Sequence, residues 1–136
     1  MSWKWLRLLE SMVRQMSKTS KSGKVVQNLA EVIKLTGLKS GMTISFHHHF
    51  RNGDYIMNMV LDAVSKAGLK NMKVSASAIF DIQSPIIDHI KNKVVTDIST
   101  NYMSKTVGEA ISHGIMEHPV RFRSHGGRPA AIDSGR

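Results

Sequence analysis

Short apolar stretches alternate with helix-length segments along most of this chain, and that alternation restricts its fold more than any other feature. Met42, Thr43, Ile44, Ser45 and Phe46 read as one strand, Met72, Lys73, Val74, Ser75 and Ala76 as a second, Val94, Val95, Thr96, Asp97 and Ile98 as a third, and residues 119–123 as a fourth. Between them, Ile56, Met57, Val60, Leu61 and Val64 recur at helical spacing and predict a helix from near Asp54 to Gly68. Ser84 and Pro85 open a second helix over residues 85–92, and residues 104–117 form a third. Strands alternating with helices require crossover connections, which are right-handed and place the strands parallel. The expected class is therefore α/β, an open, mostly parallel sheet with helices on both faces.

A further helix precedes the first strand. Val25, Val26, Leu29, Val32, Ile33 and Thr36 share a helical period, and Gly37 stands where a left-handed terminus is wanted. Residues 16–23 are polar, basic and without period, so they read as a linker. The expected organisation is a basic amphipathic leader and linker over residues 1–23 and one α/β domain over residues 24–136. Charge follows that division: of the formal +9, residues 1–39 hold +6, with only Glu10 and Glu31 opposing their lysines and arginines. Trp3, Trp5, Leu8, Leu9, Met12, Val13 and Met16 give the leader an apolar stripe, read as a packing face in a larger assembly in preference to a membrane-surface helix.

The chain contains no cysteine, which removes disulfides, thiol nucleophiles and thiolate metal cages. It contains no apolar run long enough for a membrane span and no secretory signal pattern, so a cytoplasmic location is expected.

Polar chemistry gathers where the first strand should hand over to its helix. Phe46, His47, His48, His49, Phe50, Arg51, Asn52, Gly53 and Asp54 follow one another there, and a backbone turn by itself requires neither three imidazoles nor a guanidinium. Ligands of open parallel sheets bind beyond the carboxyl ends of strands, which is where this segment falls. Ser124, His125, Gly126, Gly127 and Arg128 follow the fourth strand, so both segments should open on the same edge and wall one site. Imidazole, guanidinium and backbone N–H donors beside a helix start suit an anion such as a carboxylate, phosphate or thioester oxyanion.

Plainer roles compete for each residue. Successive side chains of an extended segment point to opposite faces, so the three histidines cannot all converge, and adjacent glycines are often only turn residues. His89, His113 and His118 are assigned ordinary packing or surface roles, and Asp54 suits a helix start better than a general base. The histidine spacing matches no metal pattern, so no metal is expected. The basic leader holds no nucleic-acid recognition module, and nucleic acid is not an expected partner.

The stretch from Gly41 to Asp54 resembles the N-terminal region of the citrate lyase alpha chain family. Val94, Val95 and Thr96 with Ile98, Ser99 and Thr100 are similar to a second family segment, Gly108 to Gly114 leading to Pro119 and Val120 to a third, and the loop of Ser124 to Arg128 to a fourth. The resemblance spans about residues 24 to 135. It implies a CoA-transferase-like α/β domain, incomplete here, and a citrate CoA-transferase that exchanges acetate for citrate on an acyl carrier protein thioester. The prosthetic group derived from dephospho-CoA would sit on that partner, and no cofactor would be bound covalently to this chain. A beta chain would cleave the citryl thioester, so the implied partners are the beta chain, the acyl carrier protein (gamma chain), citrate and acetate.

By the same resemblance, His48, His49, Arg51, Asn52 and Gly53 are expected to contact substrate or thioester, with His125, Gly126, Gly127 and Arg128 as a second wall. Family members are several times longer, and the nucleophilic glutamate would lie beyond the matched part. No catalytic residue is therefore expected among these 136 residues, which should be inactive alone. The rival expectations are a noncatalytic binding or assembly module and a basic nucleic-acid-binding domain.

Overall fold

The structure is a computed structural model that describes residues 25–47, 50 and 52–134, without the side chains of Arg128 and Ile132. The expected leader, residues 1–23, lies outside the described residues. The chain divides into two units, Met1–Leu38 and Lys39–Arg136.

In the first unit, helix α1 (Leu29–Thr36) is set by its two ends. The Asn28 side chain accepts the Glu31 N–H at 2.9 Å, and the Glu31 carboxylate accepts the Gln27 N–H at 2.9 Å. Gly37 closes the helix at φ 65°, its N–H bonded to Lys34 O and that of Leu38 to Ile33 O. That is a Schellman terminus, which needs the left-handed residue that glycine supplies at low steric cost.

The second unit runs β1 (Thr43–Phe46), α2 (Ile56–Lys66), β2 (Met72–Ala76), a single 3-10 turn (Asp81–Gln83), α3 (Ile86–Lys91), β3 (Val95–Thr100), α4 (Lys105–Ala110), β4 (Arg121–Phe122) and α5 (Gly127–Asp133). The strands form one sheet in the order β1-β2-β3-β4, every pair parallel. The α/β parallel architecture is thus the one that the alternation required.

Register places Ile44 beside Val74 and Ile98, and Phe46 beside Ala76 and Thr100. Phe46, Val74, Ala76, Val95 and Ile98 pack in one cluster with Met57 and Leu61 of α2, Ile86 and Ile90 of α3 and Val107 of α4. Because one cluster holds residues from all three crossover helices, these helices share one face of the sheet rather than dividing between both faces as expected, since right-handed connections between sequential neighbours all fall on the same side. The opposite face carries Thr43, Lys73 and Asp97 in one row, and Ser45, Ser75, Ser99 and Arg121 in the next. There Arg121 Nη2 donates to Asp97 Oδ2 at 2.6 Å.

Several boundaries differ from the sequence expectation for local reasons. The third strand begins at Val95 and extends to Thr100, with an irregularity opposite Met72 and Lys73 that leaves Thr96 out of register. That bulge puts both Val95 and Ile98 in the core despite their odd spacing. The third crossover helix gives way after Ala110 to a wider π turn, Ile111–Ile115, in which Gly114 takes φ 85°. Strand β4 is only two residues long.

Candidate functional site

Every strand of a parallel sheet points the same way, so the segments after β1, β2, β3 and β4 leave from one rim. Phe46 is buried in the core, and its carbonyl accepts the Ser77 N–H at 3.1 Å, which ties the end of β1 to the loop after β2. His47 and Phe50 are exposed. The turn that returns the chain to α2 is closed by the Gly53 N–H on Phe50 O at 3.1 Å, with Gly53 at φ 80°. Asp54 Oδ1 then accepts the Ile56 N–H at 2.9 Å and so secures the start of α2, the helix-supporting role anticipated for it.

The end of this segment is fastened to the loop after β2. Gln83, fully buried, donates from Nε2 to Asp54 O at 2.9 Å and accepts the Phe80 N–H on Oε1 at 2.7 Å. Asn58 Nδ2 donates to Ile82 O at 2.9 Å. The stitching continues across the rim: Ile79 N–H bonds Tyr102 O at 2.9 Å, Ser104 N–H bonds Ile79 O at 2.8 Å, and the Phe80 and Tyr102 rings stand 5.4 Å apart. Arg123 N–H reaches Thr100 O at 2.9 Å, and Arg123 Nε donates to Ser99 Oγ at 3.1 Å. The result is a laterally bonded ledge from Asp54 to Arg123.

The two expected walls follow β1 and β4, whose carboxyl ends lie on this rim. β1 and β4 are the outer strands of the four, so the segments that follow them start roughly 14 Å apart, three steps of strand spacing.

Of the residues expected at the first wall, Asn52 is exposed and Gly53 half-buried, while His48, His49 and Arg51 lie outside the described residues. At the second, His125 and Gly126 are exposed. Gly127 and Arg128 belong to the first turn of α5, which sequence reading took for loop. The Gly127 N–H is engaged by Ser124, at 3.0 Å from its carbonyl and 3.2 Å from its hydroxyl. The Gly53 N–H is also engaged internally, so both glycine amides already have acceptors within the chain.

The remaining histidines behave as ordinary structural residues. His89 is buried, with Nε2 3.1 Å from Asp62 Oδ1, and His113 Nδ1 lies 2.7 Å from Glu109 O within its own helix. Among the described residues, no three His, Asp or Glu side chains cluster closely enough to hold a metal ion. A groove of about 500 Å³ lies between α4 and β4, lined by Met103, Gly108, Ile111, Val120 and Phe122. None of the expected site residues lines it.

Sequence reasoning missed Gln83 and Asn58, which hold the histidine segment in place. Gln83 sits in a short turn that carries no period and no motif, so only the fold reveals that it is buried, and Asn58 is a half-buried polar residue on α2 whose partner lies 24 residues away.

The family model described as "Citrate lyase, alpha subunit" matches residues 22–136, a span that includes the whole sheet and both candidate loops. The chain belongs to that family. It is 44% identical to the citrate lyase alpha chain of Haemophilus influenzae over 120 residues, which cover 88% of this chain and 24% of that one. Identity to the alpha chain of Escherichia coli is 44% over 112 residues, covering 82% of this chain and 22% of the relative. A Streptococcus mutans protein assigned as a citrate lyase alpha subunit, solved in complex with citrate, superposes with a TM-score of 0.75 at 56% identity. That match covers 79% of this chain and 21% of the solved one. The chain therefore spans about a quarter of the curated relatives that it matches.

Proposed function

We propose that these residues form the N-terminal part of a citrate CoA-transferase, exchanging acetate for citrate on the thioester of an acyl carrier protein, in a complex with a citrate lyase beta chain. The observation that carries this reading is a basic, histidine-rich segment that follows the first strand of a parallel sheet in a chain of the citrate lyase alpha subunit family. His48, His49, Arg51 and Asn52 would meet carboxylates of citrate, Arg51 by paired N–H donors whose spacing matches a carboxylate. His125 and Arg128 stand at the other end of the rim, where the remainder of an extended acyl thioester would lie. A span of roughly 14 Å suits an elongated thioester better than a small acid gripped from both sides.

The partner's prosthetic group, derived from dephospho-CoA, supplies the thiol that carries the acyl group. This chain's contribution is to orient the incoming acid and to stabilise negative charge as the acyl oxygen develops it. Acyl exchange in this class also needs a carboxylate nucleophile, assigned to a part of the family beyond the matched span. The 136 residues alone are thus proposed to bind citrate without turning it over. Residues 1–23 enter the reading as a basic leader. A cytoplasmic setting fits the reaction, and among the described residues no helix is long and apolar enough to cross a membrane.

Calorimetric titration of the purified chain with citrate tests this reading, with acetylated acyl carrier protein supplied in a parallel exchange assay. Saturable binding, weakened about tenfold or more by Arg51→Ala and unchanged by His113→Ala, is expected, with no exchange. Absence of citrate binding, or indifference to Arg51→Ala, would overturn the site, and measurable exchange would overturn the inactivity.

A further inference from the structure

Both ends of the histidine segment are fastened to one neighbouring loop. At its start, Phe46 O accepts the Ser77 N–H at 3.1 Å; at its end, Asp54 O accepts Gln83 Nε2 at 2.9 Å. The first contact is backbone to backbone and independent of side-chain identity. The second depends on a single side chain, and that side chain is fully buried.

The chemistry at this point selects glutamine. A backbone N–H from Phe80 and a backbone carbonyl from Asp54 face the same buried end group, so that group has to accept one hydrogen bond and donate another. Glutamate accepts twice and would oppose the Asp54 carbonyl. Methionine fills a similar volume and satisfies neither partner. Asparagine is one methylene too short to span the gap. Gly53 packs directly on the amide, since a Cβ there would stand 2.6 Å from Gln83 Nε2. The glutamine therefore fixes both the carbonyl that follows the turn and the turn glycine itself.

We propose that Gln83 is a positioning residue for citrate recognition: it fixes the turn at Gly53 and Asp54 that closes the histidine segment, the segment to which citrate is assigned above. This rests on the functional reading above, because it assigns the ligand through that segment. Gln83 itself touches no substrate. It acts through Asp54 and Gly53.

Amide hydrogen exchange of the full chain, measured by NMR beside citrate titration, separates positioning from general stability. The Gly53 N–H reports closure of the turn on Phe50, the Ile56 N–H reports the Asp54 cap, and the Val74 and Ser75 amides report the sheet. In Gln83→Met, exchange at Gly53 and Ile56 should accelerate about tenfold while Val74 and Ser75 keep their protection, and citrate affinity should fall about tenfold. Gln83→Glu, which retains an acceptor for Phe80, should show the same local loosening and the same loss of affinity, because the bond to Asp54 is the one that matters. Unchanged exchange at Gly53, equal acceleration throughout the sheet, or parental citrate affinity despite a loosened turn would each overturn the proposal. If the parent chain binds no citrate, the functional reading falls by itself, and exchange at Gly53 and Ile56 alone decides whether Gln83 fixes the segment.

Discussion

Gly53 and Gln83 lie so close that a Cβ on the glycine would stand 2.6 Å from the glutamine Nε2, with Ile82 Cγ2 and Phe80 Cδ2 each at 3.0 Å. The same glycine takes φ 80°, a region that side-chain-bearing residues rarely enter. Two independent demands, conformation and space, therefore converge on one position at the end of the histidine segment.

Gly53→Ala should consequently destabilise the chain by about 1–3 kcal/mol, combining left-handed strain with overpacking against a buried amide. Urea denaturation read by circular dichroism measures it. A loss within about 0.5 kcal/mol of zero would mean that the turn relaxes freely, contrary to the packing described.

Gly108 makes the opposite case. It lies inside α4 with ordinary helical geometry, and a Cβ there would meet only Met103 Sδ at 4.0 Å. Gly108→Ala should raise stability by about 0.5–1 kcal/mol, since alanine restricts the unfolded chain without crowding the folded one. The same denaturation experiment reads the shift in midpoint.

Lys93 ends α3 in the left-handed region at φ 56°, with its N–H on Ile90 O and the Val94 N–H on His89 O. This is the Schellman arrangement that Gly37 provides for α1, occupied here by a residue with a Cβ. Lys93→Gly relieves about 1–2 kcal/mol of strain and gives up only an exposed, solvent-screened ion pair, so a net gain in stability is expected. Thermal unfolding of the variant beside the parent checks the sign.

That ion pair sets a pH dependence. Lys93 Nζ donates to Glu117 Oε1 at 2.6 Å, and this hydrogen bond, followed by the charge of the same ammonium, holds the Glu117 carboxyl below its ordinary value. Because the folded value lies below the unfolded one, the stabilisation is present above the ordinary carboxylate range and is lost as pH falls through the lowered folded value. The stability of the parent relative to Glu117→Gln should therefore be small and positive near neutrality and vanish in acid. Both partners are largely exposed, so about 1 M salt should also erase the difference. Denaturation midpoints across a pH series, with and without salt, measure both effects.

Local signals were legible wherever chemistry and period coincide. β2 runs from Met72 to Ala76 as the alternation indicated, and Gly37 and Gly68 take the left-handed conformation expected of helix-terminating glycines. Other boundaries were not. The adjacent glycines suggested a loop over Ser124 to Arg128, yet α5 starts at Gly127 and carries Pro129 within its first turn, where the missing N–H costs no helical hydrogen bond. The left-handed Lys93 carries no signature either, because lysine has no intrinsic preference for that region.

The amino-acid sequence by itself determined the alternation that makes a parallel sheet, the imidazole and guanidinium groups gathered in the histidine segment, and the family to which the chain belongs. These are properties of local period and composition, which exist before the chain folds. Only the tertiary structure decided that the two basic segments stand at opposite ends of one rim, that a bulge at Thr96 keeps Val95 and Ile98 in the same core, and that Gln83 fastens the histidine segment from 29 residues away. Each of these depends on strand order or register, and both are fixed by contacts between residues distant in the chain.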